Sequence, residues 1–153
     1  MDAAGEKSAR ERRVFRDFAR QSGLNIAIET IESKEPPEPD ILCSTIDGEF
    51  IAFELVEFCD EIVAEALKRR DTKNGHFFRT ADPSSKIIYK KLEKSGSYIT
   101  RWPIELLCYT AGNILTPDDV IVPTVTSIVE SKTHSFRRIW FLGEQGVEKL
   151  YEN

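Results

Sequence analysis

Residues 39–57 read PDILCSTIDGEFIAFELVE, and this stretch predicts two β-strands folded back on each other. Apolar residues dominate both halves, and Asp47-Gly48 between them is a pair typical of a tight hairpin turn. Asp40 stands at the start of the first strand, and Glu54 lies late in the second. The pairing of the two strands decides whether these two carboxylates meet.

Two loop lengths are compatible with this hairpin, and they give different pairings. With a two-residue loop, Asp40 faces Leu55, and Glu54 points through the other face of the sheet. With residues 46–48 as a three-residue loop, Gly48 takes the left-handed position of a type I turn plus bulge. Asp40 then faces Glu54 directly. The sequence alone leaves both pairings open.

The three-residue loop would create a site for a cation. Side chains that face each other on paired strands start about 4.5–5.5 Å apart at Cβ. Two carboxylates that close repel each other unless a cation or a proton lies between them. Carboxylate oxygens are hard ligands that suit Mg²⁺ or Mn²⁺. We therefore predict a Mg²⁺ (or Mn²⁺) site with Asp40 and Glu54 among its ligands.

The same residues resemble the PD-(D/E)XK nuclease superfamily, whose members have a restriction-endonuclease-like fold. Pro39-Asp40 matches the PD of that motif, and Glu54-Leu55-Val56 matches the (D/E)XK. The resemblance implies an αβββαβ core and Mg²⁺-dependent hydrolysis of phosphodiester bonds in nucleic acid, with DNA as the first expectation. It implies that Asp40 and Glu54 are catalytic residues as well as metal ligands.

The last motif position departs from the family pattern, because Val56 stands where the family has lysine. In that superfamily the lysine helps to orient or activate the attacking water, and some members supply it from a neighbouring helix. The resemblance therefore implies a lysine elsewhere in the chain. Lys68 is our first candidate because it is nearest in sequence to the strand, and Lys86 and Lys90 follow.

A helix is predicted from about residue 6 to residue 22, with an apolar stripe that includes Phe15 and Phe18. Glu11 falls on the side of this stripe, which is unusual for an acidic residue. The resemblance implies that the first helix lends a carboxylate to the metal site, and Glu11 is the best match. The alternative is a Glu at the edge of the stripe that pairs with Arg12 or Arg16.

The remaining pattern predicts an α/β fold in which helices flank a central mixed sheet. We expect one domain over residues 1–153, with a core at about 6–110 and a C-terminal extension at about 111–153. Pro123 is expected to break or kink the helix that begins near Thr116. The other predicted elements are a strand at 24–31, a loop at 33–39, helices beginning at Asp60 and near Ser84, a strand at 101–110 and a last strand at 137–142.

Net charge is −5, which by itself does not indicate a nucleic-acid partner. The distribution is more informative, because an acidic segment at 29–65 is followed by a basic one at 66–94. Carboxylates for a metal ion beside cations for phosphates are what a metal-dependent nuclease requires. We predict that nucleic acid contacts four basic side chains, Arg69, Arg70, Lys86 and Lys90.

Two function classes follow. The first is a metal-dependent nuclease, and the second is a catalytically inactive domain of the same fold that binds nucleic acid or protein. Val56 and the acidic net charge favour the second. No apolar run reaches the length of a membrane span, and the polar N-terminus lacks a signal peptide, so a cytosolic protein without a membrane partner is expected. A homodimer is included among the expected assemblies. Cys43, Cys59 and Cys108 have no metal-binding spacing and are expected to be free thiols.

Overall fold

The structure is a computed structural model that describes residues 3–60 and 82–153. These residues form one α/β domain with a six-stranded mixed sheet and three α-helices. The helices are α1 (Ala3–Ser22), α2 (Ser84–Glu93) and α3 (Asp118–Ser131). The strands are β1 (Glu32–Ser33), β2 (Ile41–Ser44), β3 (Phe50–Glu57), β4 (Ile104–Tyr109), β5 (Arg138–Gly143) and β6 (Gly146–Glu152).

The strands lie in the sheet in the order of the chain, from β1 to β6. The three strands β1, β2 and β3 are antiparallel to one another, as short connections allow. The pairs β3–β4 and β4–β5 are parallel, and α3 lies in the connection between β4 and β5. The last hairpin, β5–β6, is antiparallel again. The predicted mixed sheet with flanking helices is therefore confirmed.

The hairpin between β2 and β3 has the three-residue loop. Ile41 pairs with Phe53 and Ser44 pairs with Phe50, so Asp40 stands opposite Glu54 in the same register. The Thr45 amide donates to the Glu49 carbonyl at 2.9 Å and closes the loop. Gly48 has φ +88°, a conformation that costs little only for glycine. The loop length thus determines that the two carboxylates meet.

Each face of the sheet carries its own hydrophobic core. Phe15 and Phe18 of α1 pack on one face, against alternate residues of β3 that include Phe53 and Leu55. The opposite face is covered by α2 and α3, and Val56 packs at the edge of that core. Helices on both faces require strands that are apolar on both sides, and β3 and β4 have such sequences. The sheet is thus the middle layer of three.

Three predicted elements differ from those in the structure. Residues 24–31 do not form a strand, since they contain a single bridge from Ile26 to Thr45 and a short 3-10 helix at Ile28–Thr30. The helix α3 continues through Pro123. Pro123 is the sixth residue of the helix, so its missing N–H removes only one hydrogen bond near the helix start. A further strand, β6, follows the one predicted to be last. Both β5 and β6 belong to the one sheet, so residues beyond 110 complete the core rather than extend it.

In the parts of the chain that the structure describes, no helix has an apolar stretch of the length needed to cross a membrane.

Candidate active site

Three carboxylates, two of them buried and one half-buried, meet at one end of the β2–β3 hairpin. Asp40 precedes β2, Glu54 belongs to β3, and Glu11 lies on the buried stripe of α1. Both Glu11 and Glu54 are more than nine-tenths buried. Asp40 interacts electrostatically with Glu11, and Glu54 interacts with both of the others. The structure therefore brings together the three residues that the sequence predicts as metal ligands.

Asp40 and Glu54 are held by reciprocal hydrogen bonds between the strand ends. The Asp40 amide donates to Oε1 of Glu54 at 3.2 Å, and the Leu55 amide donates to Oδ2 of Asp40 at 2.9 Å. Both bonds fix a carboxylate relative to the backbone of the other strand. The two side chains are consequently oriented by the register of the hairpin and not only by their own rotamers.

Lys91 is the cation of this site. Its Nζ lies 2.5 Å from Oε2 of Glu54, at the distance of a charge-assisted hydrogen bond. The lysine comes from α2, in the second half of the helix, and its side chain is largely buried beside a buried carboxylate. Lys91 thus places a cation beside Glu54, whereas Val56 carries none.

The sequence predictions for this cation need correction. Lys86 and Lys90 lie on the exposed side of α2, and neither contacts Glu54. Lys91 was not among the lysines proposed from the sequence. Its spacing carried the signal, because Lys91 follows Ile87 by four residues and Ile88 by three, and so lies at the edge of the buried stripe. Lys68, Arg69 and Arg70 lie outside the described residues.

Tyr98 is a second site residue that the sequence did not indicate. Its hydroxyl donates to Oε2 of Glu54 at 3.0 Å, so this oxygen accepts from Lys91 and Tyr98 together. Burial, followed by the charge of Glu54, raises the pKa of the tyrosine. Tyr98 lies in the connection between α2 and β4, which has no periodic pattern from which its direction could be predicted.

All three carboxyl groups have raised pKa values. Burial is the main cause for each of them. The charge of Glu11 raises the pKa of Asp40 further, and the charge of Asp40 does the same for Glu54. Lys91 opposes the shift at Glu54, and Lys7, at 3.9 Å from Glu11, opposes it at that residue. The site therefore favours a bound proton or cation.

The carboxylate oxygens of this site are the type of ligand that Mg²⁺ prefers. They do not, however, form a complete set of three ligands around one ion. Within residues 3–60 and 82–153, no three His, Cys, Asp or Glu side chains are grouped so that they could hold one metal ion. The predicted set of Glu11, Asp40 and Glu54 therefore stays a prediction as a metal site. Mg²⁺ commonly binds through one or two carboxylates and completes its shell with water and substrate phosphate. Asp40 and Glu54 satisfy that smaller requirement.

A cleft of about 240 Å³ opens beside the carboxylates. Asp40, Glu54 and Tyr98 line its inner side, and Lys7 and the turn at Pro36-Pro37 line the rest. A larger cavity of about 310 Å³ lies between α3 and β6, away from these groups. The smaller cleft thus gives Asp40, Glu54 and Tyr98 access to open space.

Lys86, Lys90 and Lys94 form an exposed row along α2, and we call it the lysine row. The three residues are spaced by four, so they lie on one side of the helix. None of them makes an ion pair with any of the described residues. The row runs beside Lys91, which follows Lys90 directly. It places free cations next to the carboxylate site.

Glu105, a further buried carboxylate on β4, is not part of this site. Glu105 is fully buried and accepts hydrogen bonds from Arg137 at 2.7 Å and from Nε1 of Trp140 at 2.8 Å. It pairs in register with Phe53, on the face opposite Glu54. Its charge is matched locally, and it serves the packing of β4 against β5.

The chain matches no family model, no curated protein and no solved structure.

Proposed function

We propose that the protein is a metal-dependent nuclease that hydrolyses phosphodiester bonds of nucleic acid at the site of Asp40, Glu54 and Lys91. The observation that carries the proposal is the contact between Lys91 and Glu54. It supplies a cation beside the motif carboxylates, although Val56 occupies the position of the motif lysine. A valine at that position therefore does not argue against catalysis.

The order of elements supports the same proposal. In the described residues the chain runs through α1, β1, β2, β3, α2 and β4, the αβββαβ order that the resemblance to the PD-(D/E)XK superfamily implies. Asp40 directly precedes β2 and Glu54 lies on β3, which supports the match to the two acidic positions of the motif. Fold alone does not establish an activity, so the proposal rests on the site.

Asp40 and Glu54 are the residues that would hold Mg²⁺ or Mn²⁺, and Glu11 is close enough to stabilise the charge of the bound ion. When bound, the ion would polarise the phosphate and lower the pKa of a coordinated water. The raised pKa values of the three carboxyl groups favour such an ion, because it would relieve their mutual repulsion.

The side chains of the protein perform the remaining tasks. Lys91 and Tyr98 hold Glu54 in one orientation through its Oε2 atom. The ammonium group of Lys91 can also donate to a water or to a phosphate oxygen in the cleft. In the reaction water adds across a P–O bond, and the products are a phosphate monoester and an alcohol. The lysine row would bind neighbouring phosphates of the strand.

A nuclease assay with matched lysine variants tests this proposal. Lys91→Met and Lys90→Met remove the same charge from adjacent positions of α2, but only Lys91 contacts Glu54. With labelled DNA and RNA in Mg²⁺ or Mn²⁺, we expect Lys91→Met to lower the cleavage rate by about 10²-fold or more. Lys90→Met should retain the rate within about threefold at saturating substrate, because it affects only phosphate binding.

Two further variants complete the assay. Asp40→Asn should abolish cleavage, while Asp119→Asn, the same change at an exposed position of α3, should leave it intact. EDTA should abolish the wild-type rate. Equal losses in Lys91→Met and Lys90→Met, or cleavage that persists in EDTA, would contradict the proposed site.

A second candidate function is a catalytically inactive domain that binds nucleic acid or protein. It is favoured by the saturation of Glu54, whose two oxygens accept from Asp40, Lys91 and Tyr98. A lysine in that position can replace a metal ion as the counter-charge. Binding of an oligonucleotide without cleavage in any divalent metal, and without any effect of Mg²⁺ on thermal stability, would favour this candidate.

A further inference from the structure

An aromatic stack lies at the surface where β3 and β4 begin. The rings of Phe50 and Trp102 have centroids 4.8 Å apart and an interplanar angle of 24°. The guanidinium carbon of Arg101 lies 4.5 Å from the centroid of the Trp102 ring. Phe50, Trp102 and Arg101 thus form a layered group of two rings and one planar cation, and we call it the aromatic stack.

The stack is open to solvent. Phe50 is 40% exposed, although the other phenylalanines of the β2–β3 hairpin and of α1 are fully buried. Trp102 is partly exposed and Arg101 is exposed, whereas the second tryptophan, Trp140, is buried. Large flat apolar groups on a surface commonly mark an interaction site.

The charge around the stack is compatible with an anionic partner. Arg101 makes no ion pair with any of the described residues, so its charge is available. The nearest acidic residue on the hairpin, Glu49, is paired with Arg137 at 3.2 Å. A planar cation over an indole ring is a surface that accepts both the face of a base and a phosphate oxygen.

The position of the stack relates it to the carboxylate site. Phe50 and Glu54 are four residues apart on β3, so their side chains leave the same face of the sheet. The separation along the strand is roughly 13 Å. Arg101 and Trp102 lie in the same connection between α2 and β4 as Tyr98, which contacts Glu54. A single strand of a few nucleotides can bridge the two places.

We propose that the aromatic stack binds bases of single-stranded nucleic acid and so selects single strands as the substrate of the site at Asp40 and Glu54. The inference rests on the proposed function, because the bound strand is cleaved only if the protein is a nuclease. Binding of the strand can be measured separately. Unpaired bases expose faces that stack on aromatic side chains, while bases in a duplex are covered by their neighbours. Single-stranded DNA and RNA share this chemistry.

Binding in EDTA isolates the stack from any cleavage. Fluorescein-labelled oligothymidylate, oligouridylate and a DNA duplex of the same length are titrated with the protein, and anisotropy is recorded. We expect both single strands to bind at least tenfold more tightly than the duplex. Phe50→Val, which removes the ring but leaves an apolar residue that suits a strand, should weaken single-strand binding by about tenfold.

Two other variants serve as comparisons. Ile46→Val alters an exposed apolar residue at the hairpin tip, outside the stack, and should leave binding unchanged. Arg101→Gln should weaken binding and reduce the salt dependence by about one charge. The fluorescence of Trp102 should be quenched on binding, whereas that of the buried Trp140 should not change, so Trp102→Leu should remove the quenching.

The outcome of this binding assay is independent of catalysis. Equal affinity for duplex and single strand, or no effect of Phe50→Val, overturns the stacking proposal even if cleavage is found. No binding of any oligonucleotide also overturns it. If Phe50-dependent binding occurs and no metal supports cleavage, the stack is confirmed as a binding site and the nuclease proposal fails.

Discussion

At the scale of single residues, Glu54 shows how a buried carboxylate is retained. Its two oxygens accept from the Asp40 amide, the Lys91 ammonium and the Tyr98 hydroxyl, so its hydrogen-bonding capacity is largely used. A buried charge without such partners would be strongly destabilising. Glu11 is different, because the cation nearest to it, Lys7, is 3.9 Å away and exposed. The least compensated charge of the site is therefore on α1.

Glu11→Gln should stabilise the protein at high pH. Burial and the charge of Glu54 raise the pKa of Glu11 in the folded state. Stability from its protonated form is present below the ordinary carboxyl range, near pH 4, and is lost as pH rises through the raised value. Glutamine removes this loss, so the variant should exceed wild type by on the order of 1 kcal/mol at pH 8 and differ little at pH 4. Urea unfolding at the two pH values measures this.

The control for this experiment is Glu6→Gln on the same helix. Glu6 is exposed in the first turn of α1, so its replacement should change stability by no more than about 0.5 kcal/mol. If the difference between Glu11→Gln and wild type is the same at both pH values, Glu11 does not carry the unfavourable charge that its burial implies.

At the scale of elements, the β2–β3 hairpin was the most predictable part of the fold. Its turn residues and its alternation of side chains between the two faces could be recognised in the sequence, which left two possible registers for the pairing. The stripe of α1 also predicted that Glu11 faces inward. β1 has only two residues, which are too few to show an alternation of apolar and polar positions. β6 begins at Gly146, shows little alternation, and pairs with β5 across a register shift. These edge strands depend on pairing partners and so leave no local signal.

The site could be predicted only where its residues lie in such patterned elements. Asp40 and Glu54 followed from the hairpin, and Glu11 followed from the helical stripe. Lys91 reaches Glu54 from α2, which covers the same face of the sheet, and Tyr98 reaches it from an irregular connection. Such contacts depend on how distant parts of the chain pack against each other. That packing produces no repeating pattern of residues that could be recognised in a single sequence.

Gly48→Ala should destabilise the hairpin through the backbone alone. Gly48 has φ +88°, and a Cβ at this position would meet no atom within 4 Å. The cost is therefore the strain of the left-handed conformation, about 1 kcal/mol. Gly48→Asn should cost less, because asparagine tolerates this region better. Free energies of unfolding from urea titration would provide the comparison.

Gly96→Ala is the matched control for the hairpin variants. An added Cβ also meets nothing there, but the backbone of Gly96 is not in the left-handed region. Its replacement should be neutral or slightly stabilising, since alanine restricts the unfolded chain. Equal effects of alanine at both glycines would show that the conformation of Gly48 does not define the loop.

At the scale of the whole molecule, acidic and basic side chains are concentrated in different regions. The net charge is −5, yet the lysine row follows the helix that carries Lys91, and the aromatic stack lies about 13 Å along β3 from Glu54. A nucleic acid would meet cations on its path to an acidic centre, and a divalent ion would reduce the repulsion at that centre. Metal binding and overall stability are therefore expected to be linked.

Mg²⁺ should raise the melting temperature through this site. A ligand that binds only the folded state at 100 times its Kd adds about 2.7 kcal/mol, which corresponds to several degrees for a protein of this size. Asp40→Asn should remove most of that increase, and Asp119→Asn should retain it. Scanning calorimetry at constant ionic strength, with NaCl as the comparison, separates specific binding from screening. An equal increase in both variants would mean that Mg²⁺ acts elsewhere.

The three-residue loop of the hairpin has a consequence for how this site could be lost over generations. Loops at the surface usually accept insertions and deletions with little harm, because few contacts depend on their length. Here the number of loop residues fixes the parity of the pairing, so a single-codon deletion would move Glu54 to the far side of the sheet relative to Asp40. Substitutions in the loop would leave the site intact. A change in the length of the loop would place Asp40 and Glu54 on opposite faces of the sheet in a single mutational step.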